Sequence, residues 1–428
     1  MEKLMQYIWK YRLWNPTSLA TNDGKAVRII DPGQLNTDAG PDFFNAKIEI
    51  DGYMWVGNVE IHYRASDWKR HHHDADKAYD SVILHVVDKD DAPVFRTNGE
   101  RIPQMVMHCT PEFNKRYTEL LNSPAELPCK SEIQQLSSVE TAEWMQAMAM
   151  ERLNAKGKRI EELIKQYRGD WESVCFITFA RALGFGTNSD VFERLAKSLP
   201  LQLIHKHSDS IFQIEALLFG QAGLLEESQS NGDKYYEQLR REYAFLKNKY
   251  TLHQPEGMVW KAFRMRPQNF PWRRIALLAH YLEGGFRLMS DLIDADGNEE
   301  KLRELFTVTL SGYWSNHYTF FRETTEQKTT AISKSSIDII LINTVAPLYY
   351  VYGSQCGNYE KVQMAIELLE SLKPESNRIT TMFSHAGVKI DSALSSQAMI
   401  QVYNDFCTPR KCIFCRVGRR ILRAANKG

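Results

Sequence analysis

Between Asn36 and Asp88 the chain sets Asp42 behind a Gly-Pro step (Gly40, Pro41) and follows it with Glu60 and His62, a Glu-x-His. Two carboxylates held rigidly on neighbouring strands are what a hard divalent cation such as magnesium or manganese needs if it is to activate water against a phosphodiester. An imidazole beside them handles a proton or stabilises developing charge. Asp42 and Glu60 are therefore the expected metal ligands, with His62 as base or charge stabiliser. The non-catalytic alternative has Asp42 capping a turn, with Glu60 and His62 on the solvated face of an edge hairpin.

These residues need strands to carry them. Phe43 to Ile50 and Tyr53 to Tyr63 alternate apolar and polar residues around Asp51-Gly52, a strong hairpin signal. Under a plain two-residue turn the residue numbers of cross-strand partners sum to 103. Asp42 then faces Ile61 and lies on the face opposite Glu60, unless a bulge intervenes. Before the hairpin come a helix over residues 2–14, ended by Asn15-Pro16, and a strand from Ala26 to Ile30. After it, Ser66 to Tyr79 reads as a polar helix, Ser81 to Val87 as a strand buried on both faces, and Val94 to Met107 as a second hairpin around Asn98-Gly99. Beyond Pro111 long helical patterns take over, from Val139 to Tyr167 through to Ser396 to Phe406. The expectation is α+β: a mixed sheet with flanking helices over 1–125, a larger all-α domain over 126–406, and a Cys-rich basic tail over 407–428.

Other polar clusters compete for attention. His71, His72 and His73 are consecutive and point to different sides of any regular element, so a solvated loop is expected for them. His85 lies in an apolar strand, the setting of a hydrogen-bonded core histidine or of one that supports a neighbouring site. Cys407-x4-Cys412-x2-Cys415 has the tight spacing with which thiolates wrap a metal. Cys129 is the fourth ligand this reading assigns, for zinc or an iron–sulfur cluster; buried unligated thiols are the alternative. Two basic stretches could meet phosphates, one with Arg264, Arg266, Arg273 and Arg274 among aromatics, the other with Arg416, Arg419 and Arg420 near the end.

The 428 residues carry 53 basic and 53 acidic side chains, so attraction to nucleic acid would have to be local rather than global. No apolar run reaches the ~18 residues a membrane helix needs. The N-terminal stretch lacks the apolar core of an export signal, and seven cysteines are an odd number for a disulfide framework. A cytoplasmic protein with no membrane partner is expected. Walker-type phosphate loops, Gly-x-Gly-x-x-Gly, Gly-x-Ser-x-Gly and His-Glu-x-x-His are all missing, which removes the usual support for ATPase, dinucleotide, serine hydrolase and zincin chemistry.

The order helix, three strands, helix, strand, with Pro41-Asp42 and Glu60-Ile61-His62 on successive strands, resembles the PD-(D/E)XK nuclease superfamily. That resemblance implies a restriction-endonuclease-like sheet and divalent-metal-dependent cleavage of nucleic acid, or a degenerate relative that binds without cutting; His62 stands where the superfamily has lysine. The cysteine arrangement is similar to the iron–sulfur clasp of AddB-type nucleases, although the spacing differs. The stretches at Gly40 to Ile48, Gly57 to Trp68, His71 to Asp74, Leu84 to Val87, Ile214 to Gly223, Arg266 to Pro271 and Cys407 to Cys415 resemble a bacterial family of uncharacterised proteins with a domain of unknown function. The rival to a nuclease is a non-enzymatic scaffold whose helical domain binds a protein partner.

Overall fold

The first helix, α1 (Glu2–Lys10), buries Leu4, Met5, Tyr7, Ile8 and Trp9, an apolar stripe at helical spacing that joins the core beneath the sheet. The computed structural model describes residues 2–14, 19–108, 111–226, 232–323 and 330–424. The predicted stop at Asn15-Pro16 lies outside them. The chain divides into two compact units, one of Met1–Ser138, Ala386–Val388 and Val402–Gly428, the other of Val139–His385 and Lys389–Gln401. The C-terminal segment, expected to be a separate tail, thus belongs to the first unit.

That unit contains a six-stranded mixed sheet: β1 (Val27–Asp31), β2 (Gln34–Leu35), β3 (Phe43–Ile50), β4 (Tyr53–Arg64), β5 (Val82–Lys89) and β6 (Gln104–Val106). The order is β1-β3-β4-β5-β6, with β2 also on β3. Pairings are antiparallel as far as β4; β4–β5 and β5–β6 are parallel. Phe43, Ala46, Ile48, Ile50, Val59, Ile61, Leu84 and Val86 join the residues of α1 in one core. Two expectations need correction. The polar helix over 66–79 is only a turn of helix, α2 (Asp67–Arg70), followed by two 3₁₀ turns, because this stretch has no apolar stripe to bury. The hairpin around Asn98-Gly99 shrinks to one bridge, Phe95 to Arg101. Buried Gln104 instead ties β6 down, bonding Asp90, Ala92 and the Val94 N–H.

The β3–β4 hairpin decides the site. Asp51 and Gly52 both have positive φ (51° and 82°), the pair that a tight right-twisting turn requires. From Ile50–Tyr53 to Ala46–Gly57 the partners follow the plain register. Then Phe44 and Asn45 together face the single residue Asn58, and pairing resumes at Phe43–Val59. This bulge, with Asn45 in the left-handed region at φ 56° and its N–H on the Asn58 side-chain oxygen, shifts the register by one. Asp42 comes opposite Glu60 instead of Ile61. Gly57 permits the close approach of β5 to β4: a Cβ there would lie 2.4 Å from Ile83 Cγ2.

The second unit is helical apart from a small ribbon, His317–Thr319 with Arg322–Glu323. It begins with α5 (Ser138–Gln166) and α6 (Trp171–Leu183), close to their expected bounds; the short helices α3 (Pro111–Asn122) and α4 (Lys130–Ile133) precede them in the first unit. Its core gathers Phe176, Phe179, Phe219, Tyr236, Trp314 and Tyr349 among many aliphatics.

The bulge makes a direct prediction. Asn45→Gly should leave stability nearly unchanged, since glycine tolerates positive φ, whereas Asn45→Val should cost about 1–2 kcal/mol from the left-handed backbone penalty alone. Urea unfolding of the two variants checks this; equal stability would mean that the bulge is not the constraint on this hairpin.

Candidate metal centre

Glu60 is 4% exposed and His62 is fully buried. Around them the first unit assembles two carboxylates and four imidazoles. The Asp42 N–H donates to Glu60 Oε2 at 2.9 Å. Asp42 Oδ2 accepts the Ile61 N–H at 3.1 Å, and Gln6 from α1 donates to Asp42 Oδ1 at 2.8 Å. Each Asp42 oxygen is therefore partly engaged, and Glu60 is held through one oxygen with the other, Oε1, left pointing at imidazoles. Its distances are 3.4 Å to His62 Nε2 and 3.5 Å to His73 Nε2.

The expectation that the 71–73 run is a solvated loop holds for His71 and His72, which are exposed, and fails for His73, which is buried. His72 sits at φ 63°, and its left-handed backbone lets the exposed His71 and the buried His73 both approach His62. His71 Nδ1 is 3.2 Å from His62 Nε2. His73 is buried and stacks on Tyr79 at 3.7 Å between ring centroids. One ligand atom from each of His62, His71 and His73 lies within 4.8 Å of the other two. Sequence reasoning missed this trio because it weighed consecutive histidines only on regular elements; the available signal was a His-x-His with a residue tolerant of positive φ between.

His85 supports the cluster from β5. It is fully buried, pairs with Glu60 in register, and its Nε2 lies 2.9 Å from His62 Nδ1. Its Nδ1 is buried and has no partner among the described residues. A proton is therefore best placed on Nε2, donated to His62, which then directs its own N–H toward Glu60. An ion taking His62 Nε2 would release that proton.

Electrostatics follow from desolvation. Burial, and then the Glu60 charge beside it, pushes the Asp42 carboxyl up to about 7. Glu60 goes up to about 8 through burial, partly offset by the Asp42 N–H. Burial and the surrounding histidines push His62 down to about 2, and burial takes His85 to about 3. The pocket thus holds His62, His73 and His85 neutral, the form that binds metals, and carboxyls that retain protons until a cation compensates them.

The other expected site residues fall into three groups. Cys129, Cys407, Cys412 and Cys415 come together in the first unit, lining one void. Arg416, Arg419 and Arg420 are on the C-terminal helix (Arg416–Ala424) of that unit; Arg416 is exposed, Arg419 lies over the Tyr11 ring, and Arg420 is 3.8 Å from Glu132. In the second unit Arg264 and Arg266 are exposed. Arg273 and Arg274 correct the basic-patch expectation: both are buried, bonding the Trp314 and His317 carbonyls and the Asn269 and Ser336 side chains, out of reach of a polyanion. The second unit also encloses a cavity of about 510 Å³. Among the cations lining it, Arg159 and Arg181 pair with Glu193, whereas Lys156 bonds the neutral Asn343 and Gln397 side chains and the Ile342 carbonyl, and burial pushes its pKa down to about 7.

A pH titration of stability reports on the carboxyl pair. Because the folded pKa of Glu60 is raised, its protonated form favours the fold below about 4.5, and that contribution is lost as pH rises through about 8. In metal-free protein, Glu60→Gln should therefore gain stability relative to wild type across this window, measured by urea unfolding, and the difference should level off above it. A variant that grows less stable than wild type with rising pH would reverse the assignment.

No helix among the described residues is long and apolar enough to cross a membrane. No curated protein and no solved structure shows significant similarity to the chain. A family model described as "Protein of unknown function (DUF2851)" matches residues 2–378, and with that share of its length inside the match the chain belongs to this family.

Proposed function

We propose that the first unit is a metal-dependent nuclease related to the PD-(D/E)XK type. The observation that carries the reading is the convergence of Asp42 and Glu60 across the bulge, against the imidazoles of His62, His71 and His73. The strand order supports it: an antiparallel β1-β3-β4 set, a short helical connection, then β5 parallel to β4, with Pro41-Asp42 at the start of β3 and Glu60-x-His62 late on β4. His62 replaces a fixed lysine cation with a neutral imidazole, which changes the expected ion. Three nitrogens and a carboxylate suit a divalent transition metal, such as manganese or zinc, better than magnesium, which demands oxygen ligands.

His62, His71 and His73 supply the nitrogen donors in this reading, and Glu60 Oε1, 3.4 Å from His62 Nε2 and 3.5 Å from His73 Nε2, is the carboxylate beside them. The bound ion would lower the pKa of a water and stabilise charge on a phosphodiester. Asp42 orients Glu60 through its N–H and offers a remaining lone pair to accept the water's proton. His85 fixes the His62 ring, and Gln6 and the Ile61 N–H fix Asp42. Nucleic acid is the substrate class; Arg416 on the exposed side of the C-terminal helix is a phosphate contact in the same unit.

The test uses the full chain with labelled single-stranded and duplex DNA and RNA, with manganese, zinc or magnesium added to chelator-treated protein. Cleavage is expected with manganese or zinc, weakly or not at all with magnesium, and should fall by roughly 10²-fold or more in Glu60→Gln and Asp42→Asn. His85→Phe should weaken metal affinity about 10–100-fold, read by calorimetry, as expected for a residue that orients a ligand. Tight metal binding without cleavage of any of the four substrates would sink the nuclease reading and leave a structural metal.

A further inference from the structure

Four cysteines separated by up to 286 positions of sequence line one small void in the first unit. Cys129 precedes α4, Cys407 ends a π turn (Tyr403–Cys407), Cys412 opens a 3₁₀ turn (Cys412–Phe414), and Cys415 leads into the C-terminal helix. The void, about 20 Å³, is completed by Leu120, Pro128, Phe406, Arg410 and Gly418. All four thiols are free. Core cysteines that merely fill space have no reason to share one cavity, and disulfide partners would be in contact.

The backbone around the void is wound tightly. Lys411 donates to Phe406 O, Phe414 to Lys411 O and Cys415 to Cys412 O. Arg410 sits at φ 53° and its guanidinium bonds the carbonyls of Ser123 and Ala125, which brings a fixed cation beside Cys407, Cys129 and Cys412. Gly418 lets the helix close on the loop, since a Cβ there would lie 2.1 Å from Cys412 O. This is a preformed loop whose thiols line one void; burial pushes their pKa values up and the Arg410 cation offsets part of that, so a bound metal would displace their protons.

Spacing discriminates between metals. A single zinc ion with Zn–S of about 2.3 Å draws four sulfurs to about 3.8 Å from one another. Among the described residues no three of these thiols lie within 4.8 Å of one another. The wider cage matches a multi-iron cluster, in which each cysteine ligates a different iron and inorganic sulfide fills the centre.

We propose that Cys129, Cys407, Cys412 and Cys415 hold a [4Fe–4S] cluster that fastens the C-terminal segment to the α3–α4 region. The proposal is independent of the nuclease reading, which uses none of these residues. It assigns the cluster a structural role.

The full chain, purified without oxygen, is assayed for iron, acid-labile sulfide and zinc, and its visible spectrum recorded. About four iron and four sulfide per chain with a broad sulfide-to-iron band are expected. Both should be lost in Cys412→Ser and Cys415→Ser and kept in Cys356→Ser, whose thiol is exposed in the second unit. Stoichiometric zinc without iron overturns the cluster, and protein free of both metals overturns the site. Wild-type metal content decides the matter even if the serine variants fail to fold. As a second measurement, removal of iron by a chelator should shorten the time for protease to release the C-terminal segment; unchanged proteolysis would overturn the fastening role.

Discussion

A carboxylate taken out of water must find a proton, a cation or several donors, and the desolvation of Glu60 sets the terms for everything around it. One oxygen is satisfied by the Asp42 backbone, the other faces two imidazole nitrogens. Supplying those partners requires β3 to slip by one residue, β4 to be covered on both faces, and the 71–73 segment to fold back over the strand. The bulge at Phe44–Asn45, the left-handed His72 and the buried His85 are all consequences of building a polar pocket inside a sheet. None of them helps a hydrophobic core, so their presence together speaks for a site rather than a packing solution.

The supports of that pocket are themselves rigid. Trp68 donates its indole N–H to Phe95 O and presents its ring to His85 and His73. Tyr79 stacks on His73, and α1 delivers Gln6 to Asp42 from the opposite side. A donor set held by packed aromatics and strand backbone loses little freedom when it takes a ligand, which is the usual way a protein gains metal affinity without additional contacts. The thiol cage is built on the same logic from different materials, with a tight loop, one glycine approach and an arginine bridge replacing strands.

The two units differ in how polarity is handled. In the first, buried titratable groups face one another with their partners incomplete. In the second, Arg273 bonds the Trp314 carbonyl, the exposed Arg159 and part-exposed Arg181 meet Glu193, and the buried Glu215 accepts from Tyr235 and Trp314. That contrast is why chemistry is assigned to the sheet although the larger cavity is in the helices.

The sequence by itself determined the division into a sheet-bearing start and a helical remainder and the strands Phe43 to Ile50 and Tyr53 to Tyr63, because alternation, turn chemistry and helical periodicity are local properties; it also offered Asp42, Glu60 and His62 as candidates. The spacing of Cys407, Cys412 and Cys415 was legible too, with Cys129 named as a distant partner from its place at the end of the sheet-bearing part. Only the tertiary structure decided that Asp42 faces Glu60, since one inserted residue in a strand reverses every side chain beyond it and nothing in the local pattern marks where. The approach of His71 and His73 to His62 depends on the one positive φ at His72 and on a strand that the local pattern does not place beside them. Arg273 is satisfied by carbonyls more than 40 positions downstream, and Arg274 by the Asn269 and Ser336 side chains. Which polar side chains are solvated and which are enclosed is a property of the packed chain, and neither composition nor spacing contains it.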